Sequence, residues 1–154
     1  MKGIVDLVTN QFVLSAVTAW LAAQILKVII HAVIYKKFDI MRLFGDGGMP
    51  SGHSATVSSL ATASGIVFGL SSFQFAISAI FALIVCHDAM GVRRETGKQA
   101  VILNEIMESF NVLATKKLPE VKLKEFVGHT PVQVMSGILL GIINAFVLHY
   151  TLFW

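Results

Sequence analysis

The chain has 154 residues, 55% of them hydrophobic and 14% charged, with a mean hydropathy of +0.75. A soluble domain carries about 25% charged residues, so this composition excludes a soluble globule, a disordered chain and a collagen, and points to a small integral membrane protein. The single cysteine, Cys86, excludes an internal disulfide and a multi-cysteine metal site, and the net charge of +3 matters less for its size than for where it lies.

The first eleven residues are short and mixed, without the small-residue cleavage pattern of a signal peptide. Residues 12–35 form an apolar stretch of 24 residues, against the ~20 that a bilayer span needs. A loop with Lys36, Lys37, Arg42 and several glycines follows over 36–53. Residues 54–70 read as a second span, short and rich in small residues. Ser71 and Ser72 mark a tight break before a third span at 73–90. Residues 91–130 are the polar part of the chain, and 131–154 are a fourth span. Within the polar part, Val101, Ile102, Ile106, Phe110 and Leu113 recur at helical spacing, which predicts an amphipathic helix on the membrane surface, ended by Pro119. The expected fold is therefore all-α: one membrane domain over 1–154, a bundle of four transmembrane helices and one interfacial helix. Helices satisfy their own backbone polar groups in lipid, and four spans are too few for a strand-based alternative.

Three Lys or Arg residues fall in the loop 36–53 and seven in 91–130, whereas the opposite side carries only Lys2. With four spans both loops share one face, and the positive-inside rule puts that face in the cytoplasm of a cell-membrane protein.

Four groups on that face carry chemistry. Lys27 sits inside the first span, where an ammonium costs ~2.5–3.5 kcal/mol on insertion scales. Trp20, Gln24, Lys27 and His31 share a helical face, so Lys27 either snorkels to the interface or meets a buried anion. Residues 47–54, GGMPSGHS, precede the second span. Ser51 or Ser54 can cap that helix, the N–H groups at its start suit an anion, and His53 can donate a proton to a leaving oxygen. Asp88, Arg93 and Arg94 follow the third span. Adjacent guanidinium groups suit phosphate oxygens or lipid headgroups, and Asp88 either pairs with them or orients a histidine. Last, His129 precedes Thr130, Pro131 and Gln133 at the start of the fourth span. Thr130 suits the cap and Pro131 the first turn. A side-chain oxygen from Gln133 can hold one imidazole nitrogen of His129 and leave the other as a nucleophile.

Pro50-Ser51-Gly52-His53 resembles the second signature of the membrane phosphatidic acid phosphatase type 2 and vanadium haloperoxidase superfamily. The blocks GGMPSGHSA (47–55), DAMGVRRETGKQA (88–100) with LNE (103–105), and GHTPVQV (128–134) are similar to its divergent, short membrane branch. That resemblance implies metal-independent dephosphorylation through a phosphohistidine, with no cofactor. His129 would be the nucleophile and His53 the general acid. Lys27, Arg93 or Arg94, and the Ser51–Gly52 backbone would hold the phosphoryl oxygens, and Arg42 would stand for the first signature's arginine. The acid of the third signature falls at Gln133, so Asp88 or Glu125 would have to supply a carboxylate.

The sequence thus implies a lipid phosphatase acting on a phosphate monoester or pyrophosphate, such as phosphatidic acid, phosphatidylglycerophosphate or a polyprenyl diphosphate. The alternative is a non-catalytic lipid-phosphate binder, for which Gln133 is the argument. The implied partners are the lipid substrate and the bilayer, with no nucleic acid. The small-residue pairs Gly65/Gly69 and Gly137/Gly141 can pack helices within one chain or in a homodimer.

Overall fold

The computed structural model describes residues 2–36, 38, 48–113, 123 and 128–153. Every regular element among them is helical: α1 (Lys2–Val8), α2 (Gln11–Tyr35), α3 (Gly52–Phe68), α4 (Phe73–Met90), α5 (Val92–Leu113) and α6 (Pro131–Leu148), which runs into a π-turn at His149–Phe153. The boundaries follow from capping chemistry. Asn10 accepts from the N–H groups of Phe12 and Val13, and Ser51, Ser72 and Thr130 cap α3, α4 and α6 in the same way. The helix of the expected second span, α3, starts at Gly52, two residues before the expected position, because Ser51 rather than Ser54 is its cap. The mixed N-terminal residues form the short helix α1.

Three stretches are long and apolar enough to cross a membrane: Gln11–Tyr35, a run starting at Phe73, and Pro131–Phe153. The sequence suggests four. The remaining segment is α3, with 17 residues and so about 25 Å long. It packs against α2, α4 and α6, and apart from Val57 its buried residues are all Gly, Ala or Ser. Small side chains let three neighbours approach one axis closely, which is how helices associate where no water drives them together. The large apolar side chains point outward instead, with Ile25, Ile29, Ile80 and Ile84 all exposed.

The Gly137/Gly141 pair packs within the chain. A Cβ at Gly137 would collide with the Ser51 carbonyl and one at Gly141 with the Ala55 carbonyl, so α3 and α6 run parallel with their starts at the same end. Gly65 and Gly69 do not form a matching pair. Gly65 faces Leu70 and Phe75, while Gly69 ends α3 at φ +82°. A polar cluster the sequence reading did not single out ties three helices deeper in the bundle. The hydroxyls of Ser15 and Ser59 lie 2.7 Å apart, and the Asn144 amide donates to the Ser15 carbonyl, Thr18 Oγ1 and Ser59 Oγ. Each buried polar atom in this cluster thereby offsets another's desolvation.

The helix α5 starts directly after Gly91, nine residues before the expected amphipathic segment. Gly91 leaves the helical basin at φ −96°, ψ −98°. Further along, the Asn104 side chain donates to the Leu123 carbonyl and accepts from its N–H, both at 3.0 Å. Pro119, expected to end this helix, lies outside the described residues, as do Gly45 and Gly47.

Candidate active site

The C-terminal ends of α2 and α4 and the N-terminal ends of α3 and α6 meet at one end of the bundle. There the His53 and His129 rings lie with centroids 6.3 Å apart and planes inclined at 60°. His53 is exposed in the first turn of α3, whereas His129 is buried, at 3% exposure.

His129 is held from three directions. Its backbone N–H donates to the Ala89 carbonyl at 2.9 Å. Gly128 before it adopts φ +88°, and a Cβ there would strike the Arg94 backbone, so only glycine lets this loop lie against the start of α5. The ring is fixed by Gln133, whose Oε1 lies 3.3 Å from His129 Nδ1 and accepts from the Thr130 N–H at 3.0 Å. Thr130 Oγ1 in turn accepts from the Gln133 N–H, closing a capping box. The Thr130 N–H can only donate, so the amide atom facing it is the oxygen. His129 Nδ1 must then be the donor, and the lone pair is on Nε2.

Burial lowers the His129 pKa from the ordinary histidine value. The bond to Gln133 raises it, and the positive charges of Lys27, His53 and Arg93 lower it again. The balance favours neutral imidazole beside a cluster of cations.

Lys27 is buried, at 7% exposure, and its stem runs past Gly48. The interfacial snorkelling that the sequence allowed is therefore not its arrangement. Of the residues sharing its helical face, Gln24 is buried, Trp20 covers Gly52, and His31 stacks on Tyr35 at 4.7 Å. Ser51 is fully buried. Its hydroxyl accepts from the Ser54 N–H and hydroxyl, and its N–H donates to the Gln133 carbonyl at 2.9 Å. That last bond joins the α3 start to the α6 start. Of the Ser51–Gly52 backbone, the Ser51 N–H is thus engaged, and Gly52 stands at the first position of α3.

Of the two roles open to Asp88, the structure gives the first: its carboxylate accepts from Arg93 Nε at 2.8 Å, with both side chains about half exposed. Asp88 is thus not the orienting group at His129 Nδ1, because Gln133 holds that place. Arg94 is exposed beside the pair. Arg42 and Glu125 lie outside the described residues. Among the described residues no three His, Cys, Asp or Glu side chains converge as metal ligands. What the sequence reading missed is backbone: the Ala89 carbonyl, and Gly128 packed against Arg94. The lone glycine before a histidine was the available signal for the second.

The fold and this end of the bundle define a helical membrane protein with a histidine pair inside a basic cluster. The chain matches the divergent PAP2 family over residues 8–144, and it belongs to that family. It is also 42% identical to a protein of Bacillus subtilis (strain 168) named "Uncharacterized membrane protein YuiD", across 94% of this chain and 98% of that protein. No solved structure matches it.

Proposed function

We propose that this protein is a membrane lipid phosphatase that hydrolyses a phosphate monoester or pyrophosphate through a phosphohistidine on His129. The observation that carries the reading is the ring pair 6.3 Å apart, with His129 Nδ1 committed to Gln133 and Nε2 left as nucleophile. Nε2 attacks phosphorus as the bond to the leaving oxygen breaks. Protonated His53 gives its proton to that oxygen. Neutral His53 then takes a proton from water, which attacks the phosphohistidine and releases inorganic phosphate and free His129. Lys27, Arg93 and the N–H group of Gly52 offset the charge on the phosphoryl oxygens. Arg94 and Arg42 are further candidates for that role. Membership of the divergent PAP2 family supports phosphatase-type chemistry. The basic loops support an orientation with the site on the cytoplasmic face.

The test is phosphate release from a panel of lipid phosphates by purified protein, with and without EDTA. Release that survives EDTA, is blocked by vanadate and disappears in His129→Ala is expected. Undiminished release by His129→Ala would overturn the assignment. The neutral amide of Gln133 favours a second reading, a lipid-phosphate binder without turnover. Vanadate binding with no phosphate release, and release regained in Gln133→Glu, would select it.

A further inference from the structure

The helix α5 has one occupied face and one open one. Gly97 and Ala100 are buried, and Asn104 beside them is bonded to Leu123. Another face carries Ile102, Leu103, Ile106 and Phe110, each about half exposed. An open concavity of about 340 Å³ runs along it, lined by Ile102, Ile106 and Phe110 with Glu105 and Ser109. Among the described helices, α4 is the one against which α5 packs extensively. The glycines at 137 and 141, which the sequence offered as a homodimer face, are already taken up against α3.

We propose that the open face of α5 is covered by α5 of a second copy of this chain, running antiparallel. Charge selects that occupant. Over 92–98 the helix carries Arg93, Arg94 and Lys98 against Glu95 alone, whereas 99–113 hold Glu105 and Glu108 and no Lys or Arg. This order opposes the dipole of the helix itself, which favours anions at the start and cations at the end. An antiparallel neighbour reverses it, with acids beside each start and cations beside each end. A patch that complements itself is what a two-fold interface requires. The bilayer surface is the poorer match, because interfacial helices carry Lys and Arg on the polar face and the stretch that bears the apolar stripe has only acids. The midpoint of α5 falls between Ile102 and Leu103. With the two-fold axis there, Ile102 lies opposite Leu103 of the second copy and Gln99 opposite Ile106, while Lys98 comes within about 3 Å of the level of Glu105. Two chains inserted alike in one bilayer are related by an axis along its normal, so this pair lies along the surface, a course that the break at Gly91 permits. The pairing also bears on the site: Gly128 packs against the α5 backbone at Arg93 and Arg94, so a neighbour that fixes α5 fixes the loop before His129.

The test is disulfide trapping of the full-length chain in proteoliposomes, on a Cys86→Ala background that leaves only introduced thiols. Every residue substituted in α5 is exposed, so the fold is not at stake. Leu103→Cys, next to the axis, should yield at least fivefold more covalent dimer than Phe110→Cys, whose two thiols would stand about 22 Å apart along the pair. A mixture of Gln99→Cys chains with Ile106→Cys chains should cross-link at least fivefold more than either alone. Lys98→Glu and Glu105→Lys should each lower trapping at Leu103→Cys about threefold, and the two together should restore it. Trapping at Phe110→Cys equal to that at Leu103→Cys would overturn the antiparallel pair. Quenching of a fluorophore on Ile106→Cys by brominated lipid, with no trapping at Leu103→Cys, would give the stripe to the bilayer and overturn the second copy. None of these readouts involves phosphate release, so the phosphatase reading stands or falls separately.

Discussion

Gln133 stands where the resemblance to the divergent branch anticipates a glutamate. In the serine-protease triad the equivalent acid-to-amide change costs about 10⁴ in rate, chiefly by fixing the wrong tautomer. Here the capping box turns the amide oxygen toward His129, so the tautomer is the useful one and only the charge is missing. A charge-assisted hydrogen bond exceeds a neutral one by roughly 1 kcal/mol. Gln133→Glu should accordingly raise kcat about 5- to 10-fold, read as initial rates of phosphate release at saturating substrate. The pH profile belongs to the same residue. Burial and the nearby cations hold the His129 pKa below its ordinary value, so the neutral nucleophile persists as pH falls. The acid limb of kcat/KM should therefore lie below about pH 6.5, the ordinary histidine value. Lys27→Met removes one of the cations that lower this pKa and should move the acid limb upward while weakening phosphate binding. A full pH–rate profile of both proteins checks the sign.

At the scale of elements, the site depends on α3 and α6 starting side by side. The bond from the Ser51 N–H to the Gln133 carbonyl exists because Gly137 allows the two backbones into contact. Gly137→Ala places a methyl against the Ser51 carbonyl and forces the helices apart. Overpacking of this kind costs about 1–3 kcal/mol. Thermal unfolding in detergent should show the loss, and kcat should fall with it because His53 and His129 separate together with their helices. One sequence expectation at this scale, the Gly65/Gly69 pair, needed correction for a physical reason: small-residue spacing states that a close approach occurs but not against what. Gly137 and Gly141 meet α3, whereas Gly69 is a helix terminus whose positive φ is invisible in composition.

Across the whole molecule, the all-helical membrane class was legible because hydropathy over long windows reports it directly. The placement of His53 and His129 at helix starts was legible because cap residues beside Gly and Pro mark such starts, and α3 and α6 start at the same end of the bundle. The partner of Asp88 was not legible, since a carboxylate five residues from an arginine can reach it or turn away according to the break at Gly91. Nor was the enclosure of α3, a 17-residue helix packed against α2, α4 and α6, because enclosure is a property of the assembled chain. The Ser15, Ser59 and Asn144 cluster escaped for a related reason, because its members are 44 and 85 residues apart and none is unusual alone.

The interruption at Gly91 has a consequence for the imidazole that arrives forty residues later. In an unbroken rod the Ala89 oxygen would satisfy the amide of Arg93. The kink vacates that acceptor, and the amide of His129 occupies it. A flaw in one helix thus serves as the mooring for another segment's reactive ring, and straightening the rod would cast that ring adrift without altering any atom of the ring itself.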